Sequence, residues 1–127
     1  MNARVCFSAL SIILATSTHC PAQDAAAGEK VFAKCKACHI VDKDTNKIGP
    51  SLMGVIGRTA GTHEGFKYSA AMTDAGKAGT VWDDQALTTY LHNPKAFIKG
   101  TKMAFVGLKE DADIANVIAY LKQFPKQ

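Results

Sequence analysis

Cys35, Cys38 and His39 stand together in the stretch CKACH. Two thiols three residues apart, followed at once by an imidazole, admit three chemistries: a redox disulfide, part of a zinc site, or the attachment and ligation of a haem. A redox pair belongs at the start of a helix among alternating strands and helices, where the helix N-terminus lowers the thiol pKa. Here the motif ends a helical pattern, and no strand pattern is visible. A closed zinc site takes four ligands, whereas this stretch offers three at most, with Cys38 and His39 adjacent and hard to aim at one ion. His63 or His92 would have to complete the set, and neither has ligand-like spacing. The haem reading uses all three residues: both sulfurs bond one edge of a porphyrin, and the next side chain places its imidazole under the ring.

A six-coordinate iron needs a second axial donor, and the candidates are Met53, Met72, Met103, His63 and His92. Met53 and Met72 fall in a glycine-rich stretch, His63 lies among polar residues, and His92 ends a helical pattern. Met103 sits in KGTKMAF, an extended glycine-containing segment able to fold back across a haem face. A thioether there favours Fe(II) over Fe(III) and raises the potential. Position favours Met103, and the residues by themselves leave the others open.

The elements that must position these groups are helical. DAAAGEKVFAKCKACH reads as one helix, capped by Asp24, with Val31, Phe32 and Cys35 on one face. Gly28 lies one turn before Phe32, where a glycine either is a flexible position or lets another backbone come close. Residues 40–79 are rich in glycine and polar residues, with a short helical stretch around Tyr68–Thr73. So long a loop buries little core by itself, and a hydrophobic object wrapped by it resolves the difficulty. DDQALTTYLHNP predicts a helix capped by Asp83 or Asp84, with Leu87, Tyr90 and Leu91 buried. EDADIANVIAYLKQF predicts an amphipathic helix with acids in its first turn, Lys122 in its last, and Ile114, Val117, Ile118 and Leu121 in one stripe. The fold class is all-α.

The first two dozen residues have a different character. MNAR is a short positive start, VCFSALSIILA an apolar run of signal-peptide length, and Cys20 and Ala22 are small residues placed for a cut before Gln23. Residues 1–22 are expected to be a cleaved secretion signal, leaving a single domain at 23–127. Cleavage removes Arg4 and no acid, so the net charge falls from +4 to +3. It also removes Cys6 and Cys20, leaving Cys35 and Cys38 as the remaining thiols of an exported protein, a compartment where a free thiol pair is disfavoured. That excess of charge suits an acidic partner and is too small for nucleic acid. No apolar run is long enough to span a membrane.

Taken in order, GEKVFAKCKACH, IGPSLMGVIGR, GFKYS, VWDDQALTTYLHNPKAFIKGTKMAF and IAYLKQF make residues 23–124 resemble a class I cytochrome c, of the bacterial cytochrome c2 type similar to mitochondrial cytochrome c. The resemblance implies a single-domain fold with its first and last helices packed together and loops wrapping one covalent haem c. It implies Cys35 and Cys38 as the thioether cysteines, and His39 and Met103 as the axial iron ligands. Pro50 matches the proline whose carbonyl receives the ligand histidine's second N–H. Arg58, Tyr68 and Trp82 match residues that hydrogen-bond the haem propionates or structure their surroundings, and Tyr90 matches the tyrosine near the methionine sulfur. Gly28 and Phe32 should meet Val117 and Tyr120 where the end helices cross, which favours close backbone approach at Gly28.

The implied function is one-electron transport in the periplasm, without enzymatic activity. The implied partners are membrane redox complexes: a cytochrome bc1-type donor, and a terminal oxidase, photosynthetic reaction centre or denitrification enzyme as acceptor. The carrier is expected to be a monomer with no stable membrane insertion. The alternative is a haem enzyme or gas sensor whose methionine is displaceable. Lys34, Lys36, Lys95, Lys99 and Lys102 lie in sequence beside the motif and the ligand loop. Two departures from the mitochondrial pattern stand out: Lys99-Gly100 replaces proline-glycine, and Glu110-Asp111 interrupts a lysine run.

Overall fold

The computed structural model describes residues 23–127; the expected signal at 1–22, with Cys6 and Cys20, lies outside the described residues. Five helices follow one another: α1 (Ala25–Phe32), α2 (Ala70–Lys77), α3 (Asp84–His92), α4 (Pro94–Phe97) and α5 (Asp111–Leu121). Four of them begin at a side-chain cap that satisfies a free backbone N–H. Asp24 accepts from Ala26 and Ala27 at 2.9 and 3.2 Å. Ser69 accepts from Met72, Asp83 from Ala86 and Asn93 from Ala96. Pro94 at the first position of α4 loses no bond, because that N–H would be free anyway. Helix α5 has no such cap; Asp111 and Asp113 in its first turn place negative charge at the positive end of the helix dipole instead.

The helix expected to run through His39 stops at Phe32. Residues 33–38 continue as tight turns in which Cys38 N–H and His39 N–H both donate to the Cys35 carbonyl, at 3.1 and 3.0 Å. Alanine and lysine propensity carries no information about that tightening. The second helix lies at Ala70–Lys77, later and longer than the expected Tyr68–Thr73, because Ser69 caps it. Lys122 follows α5 as its C-cap residue. Among the described residues there is no strand, only an isolated antiparallel bridge between Thr59 and Val81.

The core forms where α1 crosses α5. Phe32 and Tyr120 pack as tilted rings with centroids 5.3 Å apart, and Phe32, Ile114, Val117 and Ile118 are almost fully buried. Each such side chain contributes roughly 1.5–3 kcal/mol. Gly28 makes the crossing possible: a Cβ there would lie 2.6 Å from the Asn116 carbonyl carbon and 2.9 Å from Tyr120 Cβ. Tyr120 meets Gly28 as expected, but the backbone that comes closest is that of Asn116, while Val117 is buried in the same core. The Asn116 side chain also accepts the Asp24 N–H at 2.9 Å, fastening the start of α1.

The long loop is closed by backbone bonds to distant segments. Gly57 N–H donates to the Trp82 carbonyl, Trp82 N–H to Arg58, and Gly54 N–H to Phe124. Gly54 and Gly57 take φ of 67° and 81°, values that suit glycine. Leu52, Ile56, Ala71, Met72, Met103 and Phe105 pack against the core yet stay only half-buried. The loops and the start of α2 therefore leave apolar surface partly uncovered.

Candidate functional site

The turn after α1 sets Cys35 and Cys38 about one helical turn apart, with their sulfurs not joined to each other. Burial pushes the Cys35 thiol up, partly offset by Lys34. This is the reverse of what a nucleophilic redox cysteine needs. His39 follows, half-buried, with its Nδ1 2.8 Å from the Pro50 carbonyl. That bond fixes Nδ1 as the protonated nitrogen and leaves the Nε2 lone pair available to a metal. Burial lowers the His39 pKa, against the opposing pull of the Pro50 bond, and so keeps the imidazole neutral.

Gly49 completes this side. A Cβ there would lie 2.8 Å from His39 Nδ1, so the backbone packs directly on the ring. Gly49 N–H donates to the Cys38 carbonyl at 2.8 Å, tying the proline segment to the motif. The IGPS stretch was legible as a turn, but the need for a side-chain-free surface against His39 was not.

Met103 lies half-buried on the segment after α4. Tyr90 OH donates to its sulfur at 3.7 Å and also contacts Thr101 Oγ1 at 3.2 Å. Thr101 Oγ1 in turn accepts the Met103 N–H at 3.3 Å. A residue two positions from Met103, with no chemistry of its own, thus orients both the methionine backbone and its hydrogen-bond donor. Tyr90 is buried by Trp82, whose ring centroid is 4.8 Å away, and burial raises its pKa so that the phenol keeps its proton.

The remaining candidate ligands have other engagements. His63 Nε2 is 3.2 Å from Asp44 Oδ1, and His92 Nε2 is 3.0 Å from Asp111 Oδ1. Met53 lies near Asp44 and Lys126, and its carbonyl accepts from Arg58. Met72 is half-buried against the core. Among these donors, Met103 is the one whose sulfur receives a hydrogen bond within the described residues.

Arg58 and Tyr68 form a second cluster. The Arg58 guanidinium donates to the Ser51 carbonyl at 2.8 Å and to the Met53 carbonyl. Tyr68 OH accepts the His63 N–H at 3.3 Å and sits beside Arg58. Burial lowers the Arg58 pKa, while Tyr68 and Asp44 pull it back. The guanidinium stays charged at neutral pH. Trp82 is 7% exposed and reaches this cluster through its backbone N–H, which donates to the Arg58 carbonyl at 2.8 Å.

Two thiols, an imidazole with a free Nε2, and a thioether on a loop form a donor set suited to a covalently held, axially ligated haem. The half-covered apolar side chains suit its macrocycle.

Comparison with known proteins points to the same cofactor. Residues 25–125 match the family model Cytochrome c. The cytochrome c2 of Afifella marina is 49% identical over 100 residues, covering 78% of this chain and 81% of its own. That of Blastochloris viridis is 44% identical over 117 residues, covering 91% and 89%. The solved structure of cytochrome c2 from Rhodospirillum centenum aligns with a TM-score of 0.77 at 45% identity, covering 81% of this chain and 99% of its own. The architecture is the all-α class I cytochrome c fold. The chain belongs to the cytochrome c family, electron carriers that hold one covalently attached haem c.

Proposed function

We propose that this protein is a periplasmic one-electron shuttle between membrane redox complexes, with haem c bonded to Cys35 and Cys38 and axially ligated by His39 and Met103. The observation that carries the proposal is that each axial donor is already oriented by the protein. The Pro50 carbonyl aims His39, and Tyr90 and Thr101 aim Met103. Donors held in place in this way change little when the oxidation state changes, which keeps reorganisation small. The haem supplies the electron-accepting centre; the chain supplies position, an apolar surround and charge.

Within that reading Arg58 and Tyr68 offer N–H and O–H donors to the haem propionates. Trp82 supports both Arg58, through its backbone, and Tyr90, through its ring. Residues 1–22 direct export and are removed, and the carrier works as a monomer without enzymatic activity. Its donor is a cytochrome bc1-type complex, and its acceptor a terminal oxidase or photosynthetic reaction centre. No helix among the described residues is long and apolar enough to cross a membrane.

Intact-mass analysis of the protein purified from an exporting host tests the proposal. The expected result is one haem retained after denaturation on a chain beginning at Gln23, lost when Cys35 and Cys38 are both replaced by Ala. A chain without covalent haem contradicts it. So does a reduced protein that binds carbon monoxide readily, the behaviour of an open iron position.

A further inference from the structure

His63 is a titratable side chain that the proposed electron-transfer machinery does not use. It lies between two loops, its side chain only 11% exposed, with Nε2 3.2 Å from Asp44 Oδ1. The same loops are joined by Asn46, which donates to the Glu64 carbonyl at 3.1 Å and accepts the Ser51 N–H at 3.0 Å. The His63 backbone N–H donates to Tyr68 OH, the phenol beside Arg58. The charged groups around the imidazole are Asp44 and Glu64, which favour its protonation, and Arg58 and Lys126, which oppose it. Its immediate neighbours cover the ring, although only a shallow layer of protein lies outside them, so solvent still screens these charges.

We propose that His63 is a redox-linked proton site, binding a proton more tightly when the protein is reduced than when it is oxidised. This rests on the reading above, in which Arg58 and Tyr68 face the haem propionates. In the neutral ring Nε2–H donates to Asp44, so the second proton enters from water at Nδ1. Loss of one electron to the acceptor leaves one more positive charge beside the Arg58–Tyr68 cluster and weakens that proton. Gain of one electron from the donor strengthens it and draws a fraction of a proton from water. Linkage is reciprocal, so protonated His63 must raise the midpoint potential. Burial, the largest influence, and the Arg58 charge hold the His63 pKa below its ordinary value of 6.5, whereas Asp44 raises it. The coupling therefore operates on the acid side of neutrality.

The test is the midpoint potential of the haem-loaded protein as a function of pH, with a parallel NMR titration of the His63 ring in each oxidation state. The potential is expected to fall in one step as pH rises through the His63 titration, with a higher ring pKa in the reduced protein. His63→Asn should lose the step while keeping covalent haem. Asp44→Asn should move the step to lower pH and Lys126→Gln to higher pH, directional shifts that a purely structural role would not produce. A step unchanged in His63→Asn overturns the proposal, as does an equal ring pKa in the two oxidation states. A wild-type protein without covalent haem overturns the parent reading along with it, and the mass spectrum separates that failure from the others.

Discussion

Tyr90 gives the site its most economical residue-scale test, because its one hydroxyl reaches both the Met103 sulfur and the Thr101 Oγ1 that orients the Met103 backbone. A hydrogen bond to the sulfur withdraws electron density and favours Fe(II). Tyr90→Phe is therefore expected to lower the midpoint potential. One net hydrogen bond is worth about 1 kcal/mol, which for one electron caps the shift near 40 mV. Potentiometric titration checks this, and a raised potential contradicts it. Cys35, Cys38 and His39 stood out by residue type and spacing, because the proposed covalent attachment restricts both. Thr101 and Gly49 were not. Their roles depend on where a loop returns in space, and neither threonine nor glycine declares a partner. The Asp44–His63 pair escaped for the same reason: its members are joined only by the shape of two glycine-containing loops.

Between elements, the α1–α5 crossing is the contact on which the rest depends. Gly28→Ala places a methyl group against the Asn116 carbonyl, where backbone rather than a flexible side chain must move. The expected cost is about 1–3 kcal/mol, read as a lowered denaturant midpoint with the covalent haem still in place. An unchanged midpoint contradicts direct backbone contact. The amphipathic stripe of α5 and the cap at Asp24 were plain in the sequence, since they follow from periodicity and side-chain chemistry, whereas the cap of α3 was narrowed only to Asp83 or Asp84, and Asp83 serves. The end of α1 was not, because the residues after Phe32 favour helix while the chain tightens into turns around Cys35. The four-residue helix α4 was also missed: Pro94 reads equally as the stop of one helix and the start of the next.

At the scale of the molecule, Lys36, Lys95, Lys99 and Lys102 are exposed and make no ion pair among the described residues, whereas Lys34 lies 3.9 Å from Asp113. Unpaired surface charge of one sign steers an acidic partner from a distance and is screened by salt. The rate of electron transfer to a membrane partner should fall steeply as ionic strength rises. A rate indifferent to salt removes steering from the account. The central claim is the pairing of His39 with Met103 across the haem, and the far-red absorption band of a thioether bound to Fe(III) reports it most directly. The oxidised wild-type protein is expected to show the band, Met103→Ala to lose it, and Met53→Ala and Met72→Ala to keep it. A band that survives in Met103→Ala, or is absent from the wild type, would contradict the assignment.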